Sequence, residues 1–139
     1  MLNRRQIEQA IVVARGLGYG AAPFQPTQVQ AETLEPVSKL ERLNASTLAT
    51  WTKIVEWEVL EPGGYLRVIG ITPDPNAAYK LTIGDKTMFD NKSLSNVLNE
   101  DFKRFKLKAG RRVAVEARSV NGNAIGPIDA TITGEQIVL

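Results

Sequence analysis

From Trp51 onwards, apolar side chains recur at every second position, a period that suits strands with one buried face. In "WTKIVEWEVL" (51–60) Trp51, Val55, Trp57 and Val59 fall on one side, with Lys53 as the exception, while Thr52, Glu56 and Glu58 fall on the other. "YLRVIGI" (65–71) follows, then the turn residues of "TPDPNA" (72–77), then "YKLTIG" (79–84) with Tyr79, Leu81 and Ile83 on one face. In "FKLKAGRRVAVEARSV" (105–120) Val113, Val115 and Ala117 alternate with Arg112, Glu116 and Arg118. The Asn-Gly of "NGN" (121–123) marks a hairpin, because both residues tolerate positive φ, and "AIGPIDATITGEQIVL" (124–139) supplies one or two closing strands. One segment departs from the pattern. "KSLSNVLNEDFKRF" (92–105) spaces Leu94, Val97, Leu98, Phe102 and Phe105 for a short helix or compact crossover, with Ser93 as a cap. Six to eight short strands predict a mainly β domain over residues 51–139, an antiparallel β-sandwich with a jelly-roll-like character.

Residues 1–50 read differently. "NRRQIEQAIVVAR" (3–15) has Asn3 as N-cap, Gln6 three residues on, and Ile7, Ala10, Ile11 and Ala14 on one face, which predicts a helix ended by Gly16 and Gly18. Arg4 and Arg5 oppose its dipole, so it relies on packing against something. "GLGYGAAPFQPTQVQAETLEP" (16–36) has no sustained period, many Gly and Pro, and scattered apolar anchors: Leu17, Tyr19, Phe24, Val29 and Leu34. Residues 16–50 are read as an extended arm rather than a loop of a compact domain. A short helical turn follows in "VSKLERLNASTLATW" (37–51), where Val37, Leu40 and Leu43 keep helical spacing. Isolated anchors on a Pro-stiffened segment suit docking along a neighbouring subunit.

The chain has neither cysteine nor histidine. Disulfides, thiolate metal sites and thiol chemistry are excluded, as are His-based triads and nearly all transition-metal sites. No enzyme activity, cofactor or metal is expected. With 17 basic and 15 acidic residues the net charge is +2, too small to imply nucleic-acid binding. No apolar run approaches the ~20 residues of a membrane span, and "IVVA" is too short for a signal core, so a soluble protein without an export signal is expected.

The Gly pair in "LEPGGYLRV" (60–68) resembles a phosphate loop only in part. Such loops feed a helix whose free N–H groups face the anion. This one feeds a strand, with no Lys-Ser or Lys-Thr after it, so it reads as a corner. "LKAGRRVAVEA" (107–117) repeats the form: Leu, two residues, Gly, then a strand.

Other constellations yield to plainer readings. Trp51 and Trp57 project to one face as core, with Trp51 also a possible stacking residue for a sugar ring. Asp74 and Asn76, and Asp85, Asp90 and Asn91, offer oxygen ligands, but the spacing is not a calcium loop and Asx turns explain them. Glu56 and Glu58 point the same way and cannot straddle a glycosidic bond. They suit surface or intersubunit pairing with Arg67, Arg112 or Arg118.

In overall texture, with a helix and anchored arm (1–50) before a Cys-free, His-free β domain (51–139), the chain resembles the capsid decoration (cement) and minor capsid proteins of tailed bacteriophages. That resemblance is architectural and implies a virion location, viral capsid subunits as partners, and a homo-oligomer with a trimer favoured. It also implies shell stabilisation through Ile7, Ile11, Leu17, Tyr19, Phe24, Val29 and Leu34. Two alternatives remain: a carbohydrate-binding module using Trp51 with Tyr65 or Tyr79, and a head–tail connector or tail component. Neither direct nucleic-acid nor membrane contact is implied.

Overall fold

The structure is a computed structural model that describes residues 32–139. The expected helix over 3–15 and the anchors Ile7, Ile11, Leu17, Tyr19, Phe24 and Val29 lie outside the described residues. Eight strands follow one another: β1 Thr33–Leu43, β2 Thr52–Glu58, β3 Gly64–Ile71, β4 Ala77–Ile83, β5 Lys86–Lys92, β6 Leu98–Leu107, β7 Arg112–Ser119 and β8 Ile128–Val138. They form two four-stranded sheets, ordered β1-β8-β3-β6 and β2-β7-β4-β5, with every pair antiparallel. The mainly β expectation agrees with this architecture. Four of the pairings are nested along the chain: β1 with β8, β2 with β7, β3 with β6 and β4 with β5.

The inward residues are those that the two-residue period selects. Val113, Val115 and Ala117 of β7 are buried, as are Ile128, Ala130 and Ile132 of β8. They join Trp57, Val59, Leu66, Ile69, Ile71, Tyr79 and Leu81 in one core shared by both sheets. Trp57 is its keystone at 3 % exposure. Its indole enters a slot made by two glycines of the opposite sheet. A Cβ on Gly134 would stand 2.7 Å from Trp57 Cζ3, and one on Gly64 would stand 3.3 Å from Trp57 Cη2.

The two similar Gly-containing stretches are corners that cross between the sheets side by side. One takes β2 to β3, the other β6 to β7, and they bond to each other: Val59 N–H donates to Arg111 O (2.8 Å) and Gly110 N–H to Val59 O (2.7 Å). Gly63 at φ +134° and Gly110 at φ +85° hold backbone that other residues rarely adopt. Gln136, buried on β8, clips the first corner. Its Oε1 accepts from Leu60 N–H (3.0 Å), and its Nε2 donates to Leu60 O (2.9 Å) and Gly63 O (2.8 Å).

Four expectations are corrected. Residues 33–43 form no helical turn and no free arm; they pair with β8 along the full strand, from Leu43 opposite Ile128 to Thr33 opposite Val138. The sheets therefore begin at Thr33 rather than Trp51. Val37 and Leu43 lie six apart, an even interval that puts both on one face of a strand, and both pack on the core, whereas Leu40, three from each, faces out at 65 % exposure. Second, residues 98–107 form β6 rather than a helix. Asp101 pairs with Val68 and Phe105 with Leu66, so three residues of β6 face Arg67 alone. Lys103 and Arg104 take positive φ (53° and 59°) in this bulge. The inserted residues mimic helical spacing between Phe102 and Phe105. Third, the Asn121-Gly122 turn makes no hairpin; it lies in the crossover from β7 in one sheet to β8 in the other. The Ser119 hydroxyl accepts there from Gly122 N–H (3.0 Å) and donates to Asn123 O (2.7 Å). Fourth, Trp51 and Trp57 do not share a face. The pairing slips between Lys53 and Val55, which turns the start of β2 over, and Trp51 projects outward beside Lys80 and Arg118.

Candidate partner-docking surfaces

Sheet order sets four edge strands in two pairs. β1 and β2 flank one side of the layers, and β5 and β6 flank the other. On the β5/β6 side the layers gape, leaving an open cleft of about 280 Å³. Ile83 and Leu107 form its floor; Met88, Phe102 and Phe105 form its apolar walls. Met88 is 49 % exposed and Phe105 52 %, an unusual display of large apolar side chains on adjoining edges. Lys86, Lys106, Lys108 and Arg111 ring the opening against one carboxylate, Asp85, a net +3. Asp85 lies 3.6 Å from Arg111; Lys86, Lys106 and Lys108 make no ion pair among the described residues.

The β6 bulge shapes this opening. It places Phe102 against the core and Phe105 at the rim, and sends Arg104 to the outer face of its sheet. There Arg104 Nε meets Glu135 Oε1 at 3.1 Å and its guanidinium stands over the Tyr65 ring at 4.7 Å. Arg67 joins the same carboxylate at 3.5 Å. The Tyr65 hydroxyl donates to the Glu32 carboxylate, and that bond is the main cause of its raised pKa.

The opposite side is the long strand β1. Its eleven residues are mostly exposed on both faces, and its outer edge pairs with no other described strand. Leu34, the one expected arm anchor among the described residues, is half-buried in it opposite Ile137. Arg42 is tied to Asp129 (2.7 Å), and this hydrogen bond holds the Asp129 carboxyl below the usual range. Glu35 and Glu41 make no ion pair among the described residues.

Trp51 is only partly open as a platform. Arg118 stands 5.3 Å and Lys80 5.8 Å from its ring, and Asn91 Oδ1 accepts from Arg118 Nε (3.0 Å) and Nη2 (2.6 Å). The ring is thus flanked by cations of its own sheet. Tyr79, the other suggested stacking residue, is buried; its hydroxyl donates to Thr72 O (3.0 Å) and burial raises its pKa well above the ordinary tyrosine value. Asp74 serves turns: its two oxygens accept from Asn76 N–H (2.9 Å) and Gly126 N–H (2.8 Å). Glu56 pairs with Lys53 at 3.1 Å and Glu58 with Arg112 at 3.6 Å. Among the described residues no group of three or more acidic side chains is placed to hold a metal ion, and no helix is long and apolar enough to cross a membrane.

Sequence reasoning missed the cleft. Its signal was the run "KRFKLKAGRR" (103–112), in which cations interleave with Phe105 and Leu107; the helical spacing of Phe102 and Phe105 masked it. The structure brings none of Leu34, Trp51 and the cleft together: they lie on an edge strand, an outer face and the opposite edge. Comparison with family models, curated proteins and solved structures finds no match to this chain.

Proposed function

We propose that this protein is a virion structural component, a capsid decoration (cement) protein of the tailed-bacteriophage kind. It resides on the shell, binds neighbouring capsid subunits and holds them together without catalysis. Strand order carries the reading. Nested pairs β1·β8, β2·β7, β3·β6 and β4·β5, folded into two layers, suit an eight-stranded jelly-roll sandwich, an architecture of viral capsid and lectin domains. The fold alone does not fix function; the long exposed edge of β1 and the apolar cleft on the far side add two surfaces for neighbours. The first 31 residues, with Ile7, Ile11, Leu17, Tyr19, Phe24 and Val29, act as the clamp onto adjacent subunits, and symmetry multiplies each modest contact into high avidity. Glycan binding at Trp51 is the lesser reading, because Arg118 and Lys80 already flank its ring.

Co-sedimentation with undecorated, expanded shells of the same virus tests this. The full chain pellets with the shells, saturates at a fixed ratio to shell subunits and raises the temperature at which they rupture. Protein that stays in the supernatant with every form of shell contradicts it.

A further inference from the structure

The crossover from β7 to β8 carries the one asparagine of the chain that is followed by glycine, Asn121, with Gly122 after it. We propose that Asn121 is the chain's site of spontaneous deamidation, and that the hydrogen bonds of the folded crossover hold the reaction in check. In this reaction the backbone nitrogen of Gly122 loses its proton and attacks Asn121 Cγ. The new C–N bond closes a cyclic imide, the Cγ–Nδ2 bond breaks, and ammonia leaves with the proton. Water then opens the imide at either carbonyl, giving aspartate or its isomer in which the chain runs through the side-chain carbon. A glycine in second place favours closure, because no side chain crowds its nitrogen and its backbone turns freely. Bulk does not oppose the reaction here: both residues are exposed, and a Cβ on Gly122 would meet no atom within 4 Å.

Hydrogen bonds supply the restraint that bulk does not. Closure needs the Asn121 carboxamide to swing onto the Gly122 nitrogen, and both ends of that carboxamide are held. Its Nδ2 donates to Asn76 Oδ1 (2.9 Å) and its Oδ1 accepts from Asn123 N–H (3.0 Å). The attacking nitrogen is held too. Gly122 N–H donates to the Ser119 hydroxyl (3.0 Å), which is itself fixed by donating to Asn123 O (2.7 Å). Ser119 is 1 % exposed, so the bond directs the N–H to a buried group rather than to solvent base. Asn76 is anchored in turn: its N–H donates to Asp74 Oδ1 (2.9 Å) and its carbonyl accepts from Val120 N–H (3.0 Å). The reaction therefore measures how often the β7–β8 crossover parts from the turn between β3 and β4. Its product, a carboxylate, cannot donate to Asn76 and loses that tie.

The experiment incubates the full-length protein in mildly alkaline buffer, folded or in urea, and reads deamidation by peptide mass spectrometry and enzymatic isoaspartate methylation. Asn121 is expected to react before every other asparagine in urea. In the folded protein it reacts about ten-fold more slowly or less, because only the opened crossover reacts. Asn76→Ala and Ser119→Ala each raise the folded rate several-fold. Urea melts of each variant give its unfolded fraction, and that fraction multiplied by the rate in urea sets the ceiling for reaction through global unfolding. The expected rates exceed this ceiling. A folded wild type that reacts as fast as the unfolded chain, an asparagine elsewhere that reacts first, or variants whose rates stay at the wild-type value or at the global ceiling would each overturn the proposal.

Discussion

At the scale of the residue, the account turns on how closely the two layers meet at Trp57. A Cβ on Gly134 would meet the Tyr65 carbonyl oxygen as well as the indole, and one on Gly64 would meet Glu135 O at 2.6 Å before it reached the indole, so the facing backbone and Trp57 together require glycine at both places. Gly134→Ala is expected to destabilise the protein by about 2–3 kcal/mol through overpacking, read as a fall in the urea midpoint at unchanged slope. Combined with Trp57→Leu, which vacates the indole's share of the space, the alanine costs less than it does alone but still destabilises, because contacting residues couple while the Tyr65 carbonyl stays in place. If the two changes simply add, the facing backbone alone requires the glycine. Nothing in the local sequence marked Gly134 for this task, since its partner lies 77 positions away; the alternation that buries Trp57 was legible, the shape of its socket was not.

At the scale of the element, the sequence was readable wherever one period ran without interruption. β2 from Val55 onward, β4 and β7 follow directly from alternation, β3 was legible as a strand although an irregularity at Arg67 puts both Leu66 and Ile69 in the core, and both Gly-containing corners follow from turn chemistry. Bulges defeated the reading elsewhere. One between Lys53 and Val55 reversed the side of Trp51, and the larger one at Lys103 and Arg104 disguised β6 as a helix. β1 was missed because its order comes from β8 rather than from its own pattern. A titration tests the packing of β4. Tyr79 is neutral in the folded protein, with its pKa raised chiefly by burial. Its contribution is complete below the unfolded value of about 10 and is lost as pH rises from there towards the folded value. Tyr79→Phe lowers stability at pH 8 by removing the bond to Thr72 O, yet its stability falls less steeply than wild type's between pH 9 and 11. Parallel declines in the two proteins, followed by urea melts at each pH, would mean that Tyr79 is accessible to solvent before unfolding.

At the scale of the whole molecule, the sheets account for residues 33–138 with every interior strand paired on both sides. On the proposed function, the exposed edges and the first 31 residues serve contacts with the shell. The boundary expected at residue 50 is misplaced because the spacing of Val37, Leu40 and Leu43 suggests a helical turn where β1 runs; the anchors before that boundary fall into two groups, with Leu34 in the sheet and the rest before it. The most direct measurement compares the full chain with a chain beginning at Glu32, by far-UV circular dichroism and urea denaturation. The account predicts the same β spectrum and unfolding free energies within about 1 kcal/mol, a difference small beside the several kcal/mol of a domain's total stability, with shell binding lost. A shortened chain that loses its β spectrum would contradict it, because the front segment would then belong to the core.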